Sequence, residues 1–132
     1  MVLGKRKMMK GMEKVFYPNT QLNTEAAAVT AVAYTSSGAI AAADSVVDLN
    51  TGDGKMEMTI ANIEPGRILV ITQIDSGTDG HTVTLTPTGA TFDGTNNTAT
   101  FNAQYEALVL LAISAKRFLI LKNYGSVGLS AV

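Results

Sequence analysis

Hydrophobic and polar positions alternate in short runs along most of this chain, and clusters of turn-forming residues separate the runs. In 55–61, Met56, Met58 and Ile60 fall on one side, and Lys55, Glu57 and Thr59 on the other. That period of two belongs to a strand with one buried face. Segment 82–87 repeats it, with Val83 and Leu85 set against Thr82, Thr84 and Thr86, and Pro87 ends it because it has no N–H for a sheet ladder. Segment 67–74 is apolar almost throughout (Ile68, Leu69, Val70, Ile71, Ile74), which predicts a central strand covered on both faces.

Further strands are predicted over 30–35, 45–49, 98–103, 107–114, 117–123 and 126–130. The most hydrophobic pair, 107–114 and 117–123, is joined tightly at Ser114-Ala115-Lys116. Turns are predicted at Ser36-Ser37-Gly38, Asn50-Thr51-Gly52-Asp53-Gly54, Glu64-Pro65-Gly66, Asp75-Ser76-Gly77-Thr78-Asp79-Gly80 and Asn123-Tyr124-Gly125. Pro presets φ at such places, and Gly accepts a positive φ. Turn signals roughly every 8–12 residues and about eight strands predict an all-β, antiparallel sandwich or barrel over 30–132. No amphipathic helix separates the strands, which argues against a βαβ fold.

Residues 1–29 read differently. Met8, Met9, Met12, Val15 and Phe16 form one loose side of a short helix that Gly4 and Gly11 weaken, and Pro18-Asn19 breaks it. Residues 24–29 suit a single helical turn with Thr24 as N-cap. The segment is predicted to be an arm that orders on a partner, with Phe16 and Tyr17 as the side chains that need somewhere to pack.

Charge sharpens this division. Residues 1–14 hold Lys5, Arg6, Lys7, Lys10 and Lys14 against Glu13, a net of +4. The rest holds five basic groups against ten acids, a net of −5, so a basic arm precedes an acidic body. Charged residues are 16% of the chain, below the ~25% usual for globular domains. Two explanations stand side by side: a surface partly covered by a partner, or a Thr/Ser/Asn/Gly surface common in β proteins.

Little catalytic chemistry is on offer. With no cysteine, disulfides and thiol nucleophiles are excluded, and no Gly-rich phosphate loop precedes a helix. The longest apolar run, 107–113, is far short of the ~20 residues of a membrane-spanning helix. Nor does an apolar stretch follow the early charges as in a secretory signal. His81, the single imidazole, would have to serve any Ser-His-Asp arrangement, with Asp79 as its partner, and no nucleophile-elbow motif is present. The plainer reading is a solvated or singly bonded loop histidine. Asp75, Gly77, Asp79 and Gly80 resemble half of a calcium loop, but the last position holds Thr86 where an EF-hand has a bidentate Glu. A hairpin turn is the simpler reading. The expectation is therefore no enzyme, no cofactor, no metal, no small-molecule substrate, no nucleic acid and no membrane partner.

The order of the segments from Gly38 onward resembles a family of small β domains in tailed-phage virion proteins. The resemblance is carried by Gly80-His81-Thr82-Val83-Thr84-Leu85, by Thr91-Phe92-Asp93-Gly94-Thr95-Asn96-Asn97-Thr98-Ala99-Thr100-Phe101, and by Glu106-Ala107-Leu108-Val109-Leu110. It continues through Ser114-Ala115-Lys116-Arg117-Phe118-Leu119-Ile120-Leu121 and Asn123-Tyr124-Gly125-Ser126-Val127-Gly128-Leu129-Ser130. Upstream, Gly38-Ala39-Ile40, Met58-Thr59-Ile60-Ala61 and Pro65-Gly66-Arg67-Ile68-Leu69-Val70-Ile71 fit the same pattern. The family often has Trp where this chain has Phe118. The match covers roughly 30–132 and leaves the arm outside.

The resemblance implies a jelly-roll-like sandwich that forms homotrimers and decorates capsids, cementing neighbouring major capsid proteins at the capsid surface of the virion. On that expectation Lys5, Arg6, Lys7, Lys10, Lys14, Phe16 and Tyr17 form the capsid-binding arm. The same family includes tail-fibre and spike domains, which implies an alternative role in binding a host receptor or glycan. Tyr105, Asn123 and Tyr124 are the residues suited to a sugar site, since sugars favour exposed aromatics beside Asp and Asn.

Overall fold

The computed structural model describes residues 29–132 apart from Asp53. These residues form ten strands and no helix. In chain order they are β1 (Val32–Tyr34), β2 (Gly38–Ala39), β3 (Val46–Leu49), β4 (Glu57–Ile60) and β5 (Ile68–Gln73). They continue with β6 (His81–Leu85), β7 (Thr98–Phe101), β8 (Ala107–Ser114), β9 (Arg117–Tyr124) and β10 (Gly128–Ser130). The expected count of about eight is low partly because β2 begins at Gly38, where the sequence signals only a turn.

The strands build two five-stranded sheets, here sheet A (order β1-β3-β5-β8-β9) and sheet B (order β10-β7-β6-β4-β2). From β1 to β6 the chain crosses from one sheet to the other after every strand. It therefore winds as three turns of a flattened coil. Successive turns stack in parallel, β1 on β3 on β5 and β2 on β4 on β6. The pattern then changes. β7 pairs antiparallel with β6, the β8–β9 hairpin completes sheet A, and β10 completes sheet B. Both sheets are thus mixed, which corrects the expectation of antiparallel pairing. Alternation tells which face a side chain takes, but not the direction of the neighbouring strand.

The facing sides of the sheets share one core. Met56, Met58 and Ile60 are buried as their alternation requires, as are Val83 and Leu85. Phe92 and Phe118 stack with ring centroids 6.0 Å apart at 20°. Arg67 holds the coil's corners together. Its guanidinium donates to the carbonyls of Ala41 at 2.8 Å, Asp44 at 2.8 Å and Asn62 at 3.1 Å. Beside it, the Tyr34 hydroxyl donates to Asp44 and accepts from the Ala41 N–H at 3.0 Å. Burial, then the bond to Asp44, raises the Tyr34 pKa, and burial lowers that of Arg67.

Candidate functional site

Two places concentrate the features that sequence reasoning marks as functional: a buried polar cluster around Asp75, and the outer face of sheet A.

The cluster is assembled by the β5–β6 loop. His81 opens β6 and is almost wholly buried. Its Nδ1 accepts the Met56 N–H at 3.0 Å, and its Nε2 lies 2.8 Å from Asp75 Oδ2. A donor at Nδ1 places the ring proton on Nε2, so His81 donates to Asp75 as a neutral imidazole. Asp75 also accepts the Thr51 N–H at 3.1 Å, the Gly77 N–H at 3.0 Å and the Gln73 amide at 3.1 Å. Burial pushes its pKa upward. The bonds from His81, Gly77 and Thr51 outweigh that and hold the carboxyl below its ordinary value. Gln73 Oε1 is the buried side-chain atom without a partner among the described residues.

This geometry revises the sequence reading of the loop. The partner of His81 is Asp75, not Asp79, and the imidazole is a buried, doubly bonded residue instead of a solvated one. With both ring nitrogens occupied, it offers no free atom to take a substrate proton. Both Asp75 oxygens face N–H donors, which is the wrong polarity for a cation's neighbour. Among the described residues there is no group of three or more His, Cys, Asp or Glu that could hold a metal ion. The cluster ties the second and third turns of the coil together: Thr51 and Met56 lie before β4, Gln73 on β5, and His81 on β6.

The second place is the outer face of sheet A. Strand β5 is central, as its apolar run predicts, but its outer side is not covered by the described residues. Ile68 is 54% exposed. It stands in register with Leu111 on β8 and Leu119 on β9, and Leu119 is 45% exposed. The next row runs Val46, Val70, Val109 and Lys122, and the one after it Asp48, Thr72, Ala107 and Tyr124. A register shift between Val109 and Leu110 leaves Leu121 as an extra residue on β9, 50% exposed. The result is a contiguous apolar surface over three neighbouring strands.

That surface runs to the border of the sheet. β9 is an eight-residue edge strand, whereas the other edges, β1, β2 and β10, have two or three residues. Its beginning is covered, because Thr91 bridges Arg117 and exchanges backbone bonds with Lys116 and Phe118. Among the described residues, nothing pairs with the outer side from Leu119 onward. Long, apolar, unpaired edges are templates for association.

The candidate sugar residues are distributed unevenly. Tyr105 is 67% exposed and takes a left-handed backbone conformation, φ 67°. Tyr124 is half exposed, with the Lys122 ammonium 5.3 Å above its ring. The Asn123 amide is engaged at both ends, donating to the Val127 carbonyl at 3.0 Å and accepting its N–H at 2.9 Å. Lys5, Arg6, Lys7, Lys10, Lys14, Phe16 and Tyr17 lie outside the described residues, as does all but Val29 of the helical turn expected at 24–29. Sequence reasoning did not mark Ile68, Leu119 or Leu121 as surface residues, since a Leu in an apolar run looks the same whether it faces core or water.

No family model matches the chain, and no curated protein matches it either.

Proposed function

We propose that this chain is a decoration, or cement, protein of a tailed-phage virion, seated on the outer capsid surface as a homotrimer. The observation that carries the reading is the exposed apolar face of β5, β8 and β9, which ends on an open strand edge. A charge-poor β domain that leaves such a face uncovered is suited to assembly with other copies and not to solitary life in solution. We read the two stacked sheets as a sandwich and the β6–β10 half as its jelly-roll-like part. The segment order that resembles virion domains supports the same reading.

In this reading three bodies share an apolar seam and three basic arms spread over neighbouring major capsid proteins. Each arm contact is weak, but linkage in a trimer raises the effective concentration of the others. Lys5, Arg6, Lys7, Lys10 and Lys14 pair with acidic capsid groups, and Phe16 and Tyr17 anchor the arm. Because these charges are exposed, binding weakens as salt shortens the Debye length, about 10 Å at 0.1 M.

Deleting residues 1–20 tests this. The expected product is a folded oligomer that no longer sediments with capsids; undiminished binding refutes the arm's role. The alternative, a tail-fibre or spike domain binding a receptor or glycan, is favoured by one observation, the exposed Tyr105. Co-purification with tails in place of heads would select it.

A further inference from the structure

We infer that the outer face of sheet A is the seam between copies of this chain, in a head-to-tail contact that brings Lys122 of one copy to Asp48 of the next. The inference rests on the proposal that the chain acts as a homo-oligomer, and it names the surface and the register.

Its basis is the distribution of charge around the apolar rows. Three of the five cations in residues 15–132 (Lys116, Arg117 and Lys122) lie on or beside β9. Across the sheet, β3 presents Asp48, which points outward because Val47 and Leu49 on either side are buried. The open β9 side of the face therefore carries a cation, Lys122, and the β3 side a carboxylate, Asp48, with Ile68, Val70, Val109, Leu111 and Leu119 between them. A dyad that stacks β9 on β9 sets cation against cation. A head-to-tail contact sets Lys122 near Asp48 and repeats until the ring closes.

The same charges argue against a different occupant. Residues 1–14 carry a net of +4 and would meet Lys122 when laid along the open border, with Lys116 and Arg117 at its covered start adding to the repulsion. A second copy presents the Asp48 carboxylate there. Its apolar face also covers Leu119 and Leu121, which the first copy leaves half exposed.

The experiment uses the purified full chain and reads mass by sedimentation and native mass spectrometry at micromolar concentration. Wild type is expected at three chains. The double variant Leu119→Lys, Leu121→Lys is expected at one chain, with an unchanged far-ultraviolet β spectrum. Lys122→Glu and Asp48→Lys are each expected to weaken association by about threefold per contact, as for a partly exposed pair. Combined in one chain, they should restore it, a rescue that general destabilisation does not give.

A wild-type trimer that stays trimeric in the Leu119/Leu121 variant overturns the seam and leaves the decoration proposal standing. A species of two chains overturns the head-to-tail ring. Loss of the trimer on deleting residues 1–28 makes the arm the occupant and overturns the inference. A wild-type monomer overturns both the seam and the trimer. Monomeric variants that still sediment with capsids keep the seam and remove the need for avidity.

Discussion

His81 donates from Nε2 to Asp75 at 2.8 Å, six residues earlier, while its other nitrogen accepts the Met56 N–H at 3.0 Å. The side chain that looks most like chemistry in the sequence is therefore a fastener between strands. It bridges the second and third turns of the coil, where parallel strands are joined by long connections in place of tight hairpins.

His81→Ala leaves the Met56 N–H without its acceptor and removes one donor from a buried carboxylate. Unsatisfied buried groups cost about 1–3 kcal/mol each. The variant is expected to lose about 2–4 kcal/mol in denaturant unfolding at fixed protein concentration, with the β spectrum retained below the transition. A loss under 1 kcal/mol would mean that the cluster contributes little.

Acid stability should report on Asp75. Its folded pKa lies below the ordinary carboxylate value of about 3.9. The unfolded chain therefore takes up this proton first as pH falls. The stabilisation is complete above that value and is lost as pH drops through the folded pKa. Asp93 is depressed in the same direction, chiefly by the Asn96 N–H, and contributes to the same limb. Unfolding free energy should decline below about pH 4, and Asp75→Asn should flatten that decline while lowering stability at pH 7. An unchanged acid limb in the variant would exclude Asp75 as its source.

Arg67→Lys keeps the charge but loses the planar fork that reaches three carbonyls from two corners of the coil. A loss of about 1–3 kcal/mol is expected in equilibrium unfolding. Hydrogen exchange should rise locally at Ala41, Asp44 and Asn62. Unaltered exchange there would separate the stability loss from the corner clasp.

Gly125 and Gly89 form a matched pair. Both have left-handed backbones, with φ of 74° and 75°. A Cβ on Gly125 would stand 2.8 Å from Glu106 Cγ, whereas one on Gly89 meets nothing within 4 Å. Gly89→Ala is expected to cost about 1 kcal/mol, from backbone strain alone. Gly125→Ala should cost more, because Glu106 is buried and bonds the Asn102 N–H at 2.6 Å. Equal losses in thermal unfolding would remove the steric difference.

The sequence by itself determined that this protein is all-β, which positions alternate inward, and where most chain reversals fall. Met56, Met58 and Ile60 sit as their spacing requires, and the apolar pair of segments around Ala115 forms the β8–β9 hairpin. These features are local, because alternation and turn chemistry act over a few residues.

Only the tertiary structure decided the partners. β1 to β6 stack in parallel because the chain changes sheet after each strand, and no residue encodes that crossing. His81 and Ile68 were decided in the same way. The sequence places both in plain view, but one became a buried fastener and the other an exposed surface residue. Burial depends on what packs from the opposite sheet, and a strand's own pattern does not contain it.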